Sequence, residues 1–124
     1  MSEEIKPEVI STYPKAQALE DGILVDISDT AEAKEAGFKA PVVVTRHLWN
    51  TIEEGLTAAG QDLKGRLWDL CCMATNAFRA YTGDKHLVPF EVIMVDAKQK
   101  PQTLKLWLTF SEVDGFCVMY PEDY

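Results

Sequence analysis

Two histidines and three cysteines are all that the 124 residues offer to a metal ion or to thiol chemistry. His47 and His86 have no histidine neighbour at ligand spacing, and Cys71, Cys72 and Cys117 form no CxxC pair, so a zinc site is not expected. The strings HExxH, GxSxG, GxxxxGK and GxGxxG do not occur. That removes the signatures of metalloproteases, of nucleophile-elbow hydrolases and of the common phosphate cradles. No apolar run approaches the roughly 20 residues of a membrane span, and the opening MSEEIKPEV lacks a basic start leading into an apolar stretch. Adjacent Cys71 and Cys72 would point about 100° apart on a helix and cannot easily bridge. Reduced thiols, a cytoplasmic location, no membrane contact and no cofactor are therefore expected.

Positive charge is also short. Twelve Lys and Arg stand against twenty Asp and Glu, a formal net charge of -8. Affinity for nucleic acid comes largely from cations that displace the counterions of the phosphate backbone, so direct nucleic-acid binding is not expected. The imbalance sits in the first 62 residues, with five bases (Lys6, Lys15, Lys34, Lys39, Arg46) and twelve acids. An acidic face that docks on a basic protein is one use of that field, and solubility is the other.

The composition, 47% apolar and 26% charged, is that of an ordinary globular chain long enough to bury a core without staples. The pattern along it predicts a mobile leader over 1–12 and a single α+β domain over 13–124. Pro14 can open one or two helical turns up to Glu20, and Asp21-Gly22 ends them. Ile23 to Ile27 reads as a short strand, with Ser28 or Asp29 capping a helix to Ala36. Gly37 suits the helix end, and Val42 to Thr45 is a β-branched strand. This helix is too short for the usual crossover between parallel strands. Thr45 then caps a second short helix that ends near Gly55.

The clearest helix spans Leu63 to Tyr81, where Leu67, Leu70, Cys71, Ala74, Phe78 and Tyr81 recur at three- and four-residue steps. Trp68, Cys72 and Thr75 add a second stripe, which predicts burial on more than one side. Phe90 to Asp96, Thr103 to Phe110 and Phe116 to Tyr120 read as three strands joined by hairpin-length loops. The expected architecture is short helices and two short strands followed by a long central helix packed on a C-terminal three-stranded antiparallel meander. Whether the two early strands join that meander is left open.

Among chemistry-bearing residues, Glu20, Asp21 and Asp26 cluster around the first turn and strand. A catalytic or metabolite-binding carboxylate set is one reading of them; a tight turn and a helix cap explain the same residues without chemistry. Arg66 and Asp69 can pair at three-residue spacing on the helix surface, or Arg66 can turn inward and neutralise Asp26. A Cys-His nucleophile built in space from Cys71 or Cys72 stays open, although a thiol on the apolar stripe is quieted by burial. Trp49, Trp68 and Trp107 read as core anchors, and an exposed one would mark a contact surface.

Three strings carry a resemblance: YxxxQALEDGxLVDxS at Tyr13 to Ser28, AxEAGFxxPVxxT at Ala33 to Thr45, and GRLWD at Gly65 to Asp69. Together they lie between residues 13 and 69, a span of just under half of the chain. With them the sequence resembles a family of small uncharacterised bacterial proteins of plasmids, phages and related mobile elements. The resemblance implies a mobile-element setting and transfers no activity. The function expected is that of a non-enzymatic accessory protein that binds a protein partner through an acidic surface, with Glu20, Asp21, Asp26, Arg66 and Asp69 as candidate contact residues and a homodimer compatible. The alternative is a small enzyme or metabolite-binding domain using Glu20, Asp21 and Asp26. From the charge follows a direct check: purified protein is expected to leave duplex DNA unshifted in a gel assay at ~0.15 M salt. A tight shift there would overturn the reading.

Overall fold

The computed structural model describes residues 15–124; the leader expected over 1–12 lies outside the described residues. The chain runs α1 (Lys15–Glu20), β1 (Leu24–Asp26), α2 (Ala31–Ala36), β2 (Val42–Thr45), α3 (Arg46–Glu54), a 3-10 turn (Gly55–Thr57), α4 (Leu63–Ala80), β3 (Leu87–Val95), β4 (Pro101–Ser111), β5 (Gly115–Met119) and a last 3-10 turn (Pro121–Asp123). The fold is α+β. Its five strands form one mixed sheet in the order β1-β2-β5-β4-β3.

The meander is present, since β3 pairs with β4 and β4 with β5, both antiparallel. It is not a separate layer. β5 also pairs in parallel with β2, Val42 to Phe116 and Val44 to Val118, and β1 extends the sheet antiparallel to β2. The three-stranded meander is therefore part of a larger, five-stranded mixed sheet, which the two early strands join. The reason is edge satisfaction: β5 is short and apolar, and an open β5 edge would leave its backbone donors and acceptors unpaired. As its length requires, α2 links antiparallel strands rather than a parallel pair.

Alternation sets the buried face. Val88, Phe90, Val92 and Met94 of β3 and Leu104, Leu106 and Leu108 of β4 point into the core, with Pro89, Glu91 and Ile93 turned outward. Pro89 is tolerated because β3 is an edge strand. In β2, Val42, Val43 and Val44 are buried on both faces, as befits a strand inside the sheet. Caps differ slightly from expectation. Thr30, rather than Ser28 or Asp29, caps α2 by accepting from Ala33 N, while Thr45 caps α3 by accepting from Leu48 N. Asp62 caps α4 through Gly65 N at 2.7 Å.

Helix α4 packs on the sheet through Leu67, Leu70, Cys71 and Ala74. At about 100° per residue, the buried positions from Arg66 to Thr75 fill roughly half of its circumference. Trp68 falls just past that sector and is 41% exposed, and Cys72 is half-buried. The expected burial on more than one side is thus limited to the half-turn that the sheet and α2 cover.

Arg66 lies at the margin of the buried sector and is only 3% exposed. It does turn inward, but not toward Asp26. Nη1 donates to Val95 O at 3.0 Å and to Gln61 Oε1 at 3.1 Å, and Nη2 donates to Thr51 O at 3.5 Å. Its Nε has no partner among the described residues. Gly55 makes room for the guanidinium: a Cβ there would lie 2.2 Å from Nη2.

Gly115 has a comparable constraint from the backbone. Its φ is +82°, and a Cβ would meet Pro41 O at 2.4 Å, the oxygen that accepts from Phe116 N. Gly60 has a similar φ, +80°, with nothing within 4 Å of a Cβ. Gly60→Ala is therefore expected to cost about 1 kcal/mol, the left-handed term alone. Gly115→Ala should cost about 2–4 kcal/mol because the β2–β5 junction must open as well. Urea unfolding checks this; equal losses at the two positions would contradict the junction's role.

Candidate functional site

The carboxylates singled out in the sequence sit at the end of α1 and on the edge strand. Glu20, Asp21 and Asp26 are all exposed. Gln17 Nε2 donates to Asp21 Oδ1 at 3.0 Å, and Asp26 Oδ1 accepts from Ser28 N at 2.8 Å. Asp26 is held below the ordinary carboxylate range by its hydrogen bonds from Ser28 and, to a smaller degree, by Lys15. Lys15 is fixed nearby, where Nζ donates to Asp114 O at 2.7 Å.

Arg66 and Asp69 are close in sequence and differ in environment. Burial lowers the pKa of Arg66, and the neighbouring negative charge of Asp69 partly offsets this, while Asp69 itself is exposed. The guanidinium thus spends its donors on backbone oxygens of α3 and β3 and on Gln61. No hydrogen bond joins Arg66 to Glu20, Asp21 or Asp26 among the described residues.

Among the described residues no hydrogen bond joins a thiol to a histidine. His47 Nδ1 lies 3.1 Å from Asp123 Oδ1, and His86 Nδ1 lies 2.7 Å from Asp84 Oδ1. Asp123 also accepts from Thr45 Oγ1 at 2.9 Å and from Tyr120 N at 3.3 Å, so this network ties the last 3-10 turn to the start of α3. The His47 ring rests 4.4 Å from that of Tyr120, whose hydroxyl donates to Thr51 Oγ1 at 2.8 Å. Among the described residues no group of three or more His, Cys, Asp or Glu is placed to hold a metal ion, and no helix is long and apolar enough to cross a membrane.

Sequence reasoning missed a cleft. Phe38, Phe78, Phe110 and Phe116 wall a concavity of about 390 Å³, with Lys39 and Arg79 among its lining residues. Phe116 is its hub, with ring centroids 5.0 Å from Phe38, 5.2 Å from Phe78 and 4.7 Å from Phe110. Arg79 reaches over Gly37, where a Cβ would lie 2.5 Å from Nη2. Beside the cleft, Lys85 sits over the Phe78 ring and donates to Phe78 O at the end of α4. The available signal was that four of the five phenylalanines fall at element ends: after α2, near the end of α4 and on either side of the β4–β5 turn.

Residues 4–104 match the model of a family of unknown function (DUF6573). The chain belongs to this family. No curated protein and no solved structure matches it. The family match includes Phe38 and Phe78 and ends within β4, so Phe110 and Phe116 lie beyond it.

The thiols give a measurable consequence. Burial pushes Cys71 up to about 12 and Cys117 up to about 12, whereas Cys72 is raised without a comparable displacement. At pH 8 the native protein should react promptly with a thiol reagent at Cys72 alone, and at all three cysteines in denaturant. The unfolded chain sheds these protons from about pH 9, and the folded chain keeps them until about pH 12. Stability present below pH 9 is therefore expected to decline as pH rises across that window, visible as a falling urea midpoint. Prompt native labelling of Cys71 would contradict the burial.

Proposed function

We propose that this chain is a non-enzymatic accessory protein of a mobile genetic element that works in the cytoplasm by binding a protein partner through an acidic surface. The observation that carries this reading is the state of the carboxylates in the first half. Glu20, Asp29, Glu35, Glu53 and Glu54 are exposed, and none makes an ion pair among the described residues. Unpaired exposed carboxylates are available to steer a basic partner and to pair with it. The mobile-element setting rests on the resemblance of the three strings described above.

The competing reading is a small enzyme or metabolite-binding domain that uses Glu20, Asp21 and Asp26. General acid–base work near neutral pH calls for a carboxyl whose pKa is raised. Asp26 moves in the opposite direction because Ser28 already supplies its carboxylate with hydrogen bonds. That favours a turn-forming role for Asp26 and, with it, the binding reading.

The test is affinity capture of the tagged full-length chain from its native host at ~0.15 M and ~0.5 M salt, read by mass spectrometry. A single protein held at the lower salt and lost at the higher is expected. The charge-reversed Glu53→Lys/Glu54→Lys variant should bind that protein about tenfold more weakly, a difference of ~1.4 kcal/mol. Capture insensitive to both salt and charge reversal, or no capture, would overturn the proposal.

A further inference from the structure

The β4–β5 turn presents a second feature that the acidic-surface reading does not use. Val113, at its tip, is 91% exposed and stands between Glu112 and Asp114, both also exposed. The tip is held in place rather than left loose. Ser111 Oγ accepts from Asp114 N at 2.9 Å, and Lys15 Nζ donates to Asp114 O at 2.7 Å. An apolar side chain flanked by two carboxylates is thus displayed in a fixed geometry, which lowers the ordering cost of any contact it makes.

Its chemical complement lies on the same molecule. The phenylalanine cleft offers apolar walls with Lys39 and Arg79 beside them, and neither cation makes an ion pair among the described residues. Phe110 and Phe116, which wall the cleft, are also the residues that flank the turn, paired across β4 and β5. Projection and socket are therefore neighbours on one chain. When two such surfaces adjoin, a two-fold axis between copies satisfies both contacts at once and closes the assembly at two.

We propose that the chain forms a two-fold dimer in which the tip Glu112–Val113–Asp114 of each copy enters the phenylalanine cleft of the other, with Val113 among the rings and the two carboxylates facing Lys39 and Arg79. The occupant of the cleft is then a second copy of this chain. The contact does not depend on the host partner, because it is read with the purified chain alone.

Sedimentation equilibrium of the full chain over about 1–300 µM tests the proposal. A mass rising toward twice the 13.9 kDa of one chain is expected. Val113→Asp should weaken dimerisation at least tenfold while leaving the circular dichroism spectrum unchanged, and the thermal midpoint unchanged at a concentration low enough that both proteins are monomeric. The decisive measurement uses two charge-reversed variants, Glu112→Lys/Asp114→Lys and Lys39→Glu/Arg79→Glu. Each alone should remain monomeric, because its own tip and cleft now carry like charges; their equimolar mixture should recover the dimer, because both contacts between unlike copies are again opposite in sign. A wild-type monomer throughout the range, a dimer indifferent to these substitutions, or a mixture that stays monomeric would each overturn the proposal.

Discussion

A guanidinium withdrawn from water must be met by oxygens, and the placement of the long helix follows from how that demand is met at Arg66. Backbone carbonyls from α3 and from the end of β3, together with the Gln61 side chain, converge on it, and Gly55 leaves the space it fills. These partners come from three separate stretches of chain. The residue therefore fixes the start of α4 against both the helix before it and the strand after it. With that end fixed, the stripe from Leu67 to Ala74 joins Val88, Phe90, Leu106 and Leu108 in one buried core.

How much of this was legible depends on the range of the interaction. The alternation of Leu104, Leu106 and Leu108 and the three- and four-residue steps of α4 are local periodicities, and they located the meander and the helix within one to three residues. The cap at Thr45 and the helix end at Gly37 were legible for the same reason, since a cap is a contact between near neighbours. The parallel pairing of Val42–Val44 with Phe116–Val118 was not legible. A parallel ladder leaves no turn signal, and the apolar run of β2 suits several neighbours equally.

The candidate residues show the same divide. That Asp26 would engage the backbone two residues on follows from short-range chemistry, and Ser28 N is its partner. For Arg66 the inward turn was one of two readings, but its partner in that reading was Asp26; the sequence could not show that neutral carbonyls and Gln61 would take the carboxylate's place. The cleft eluded pattern reading because Phe38, Phe78, Phe110 and Phe116 each look like an ordinary apolar residue at or near the end of an element. Only the sheet order brings those four ends to one place.

The position of β5 has a bearing on how the two halves of the molecule are held together. It is inserted between β2, from the first half of the chain, and β4, its immediate predecessor. Without it, β2 would have β1 on one side and an unsatisfied edge on the other, with three valines lacking a mate for their backbone groups. Phe116 to Val118 supply that mate and pair with β4 on their other side. The five residues Gly115–Met119 are thus the strand that joins the β1–β2 pair to the β3–β4 hairpin.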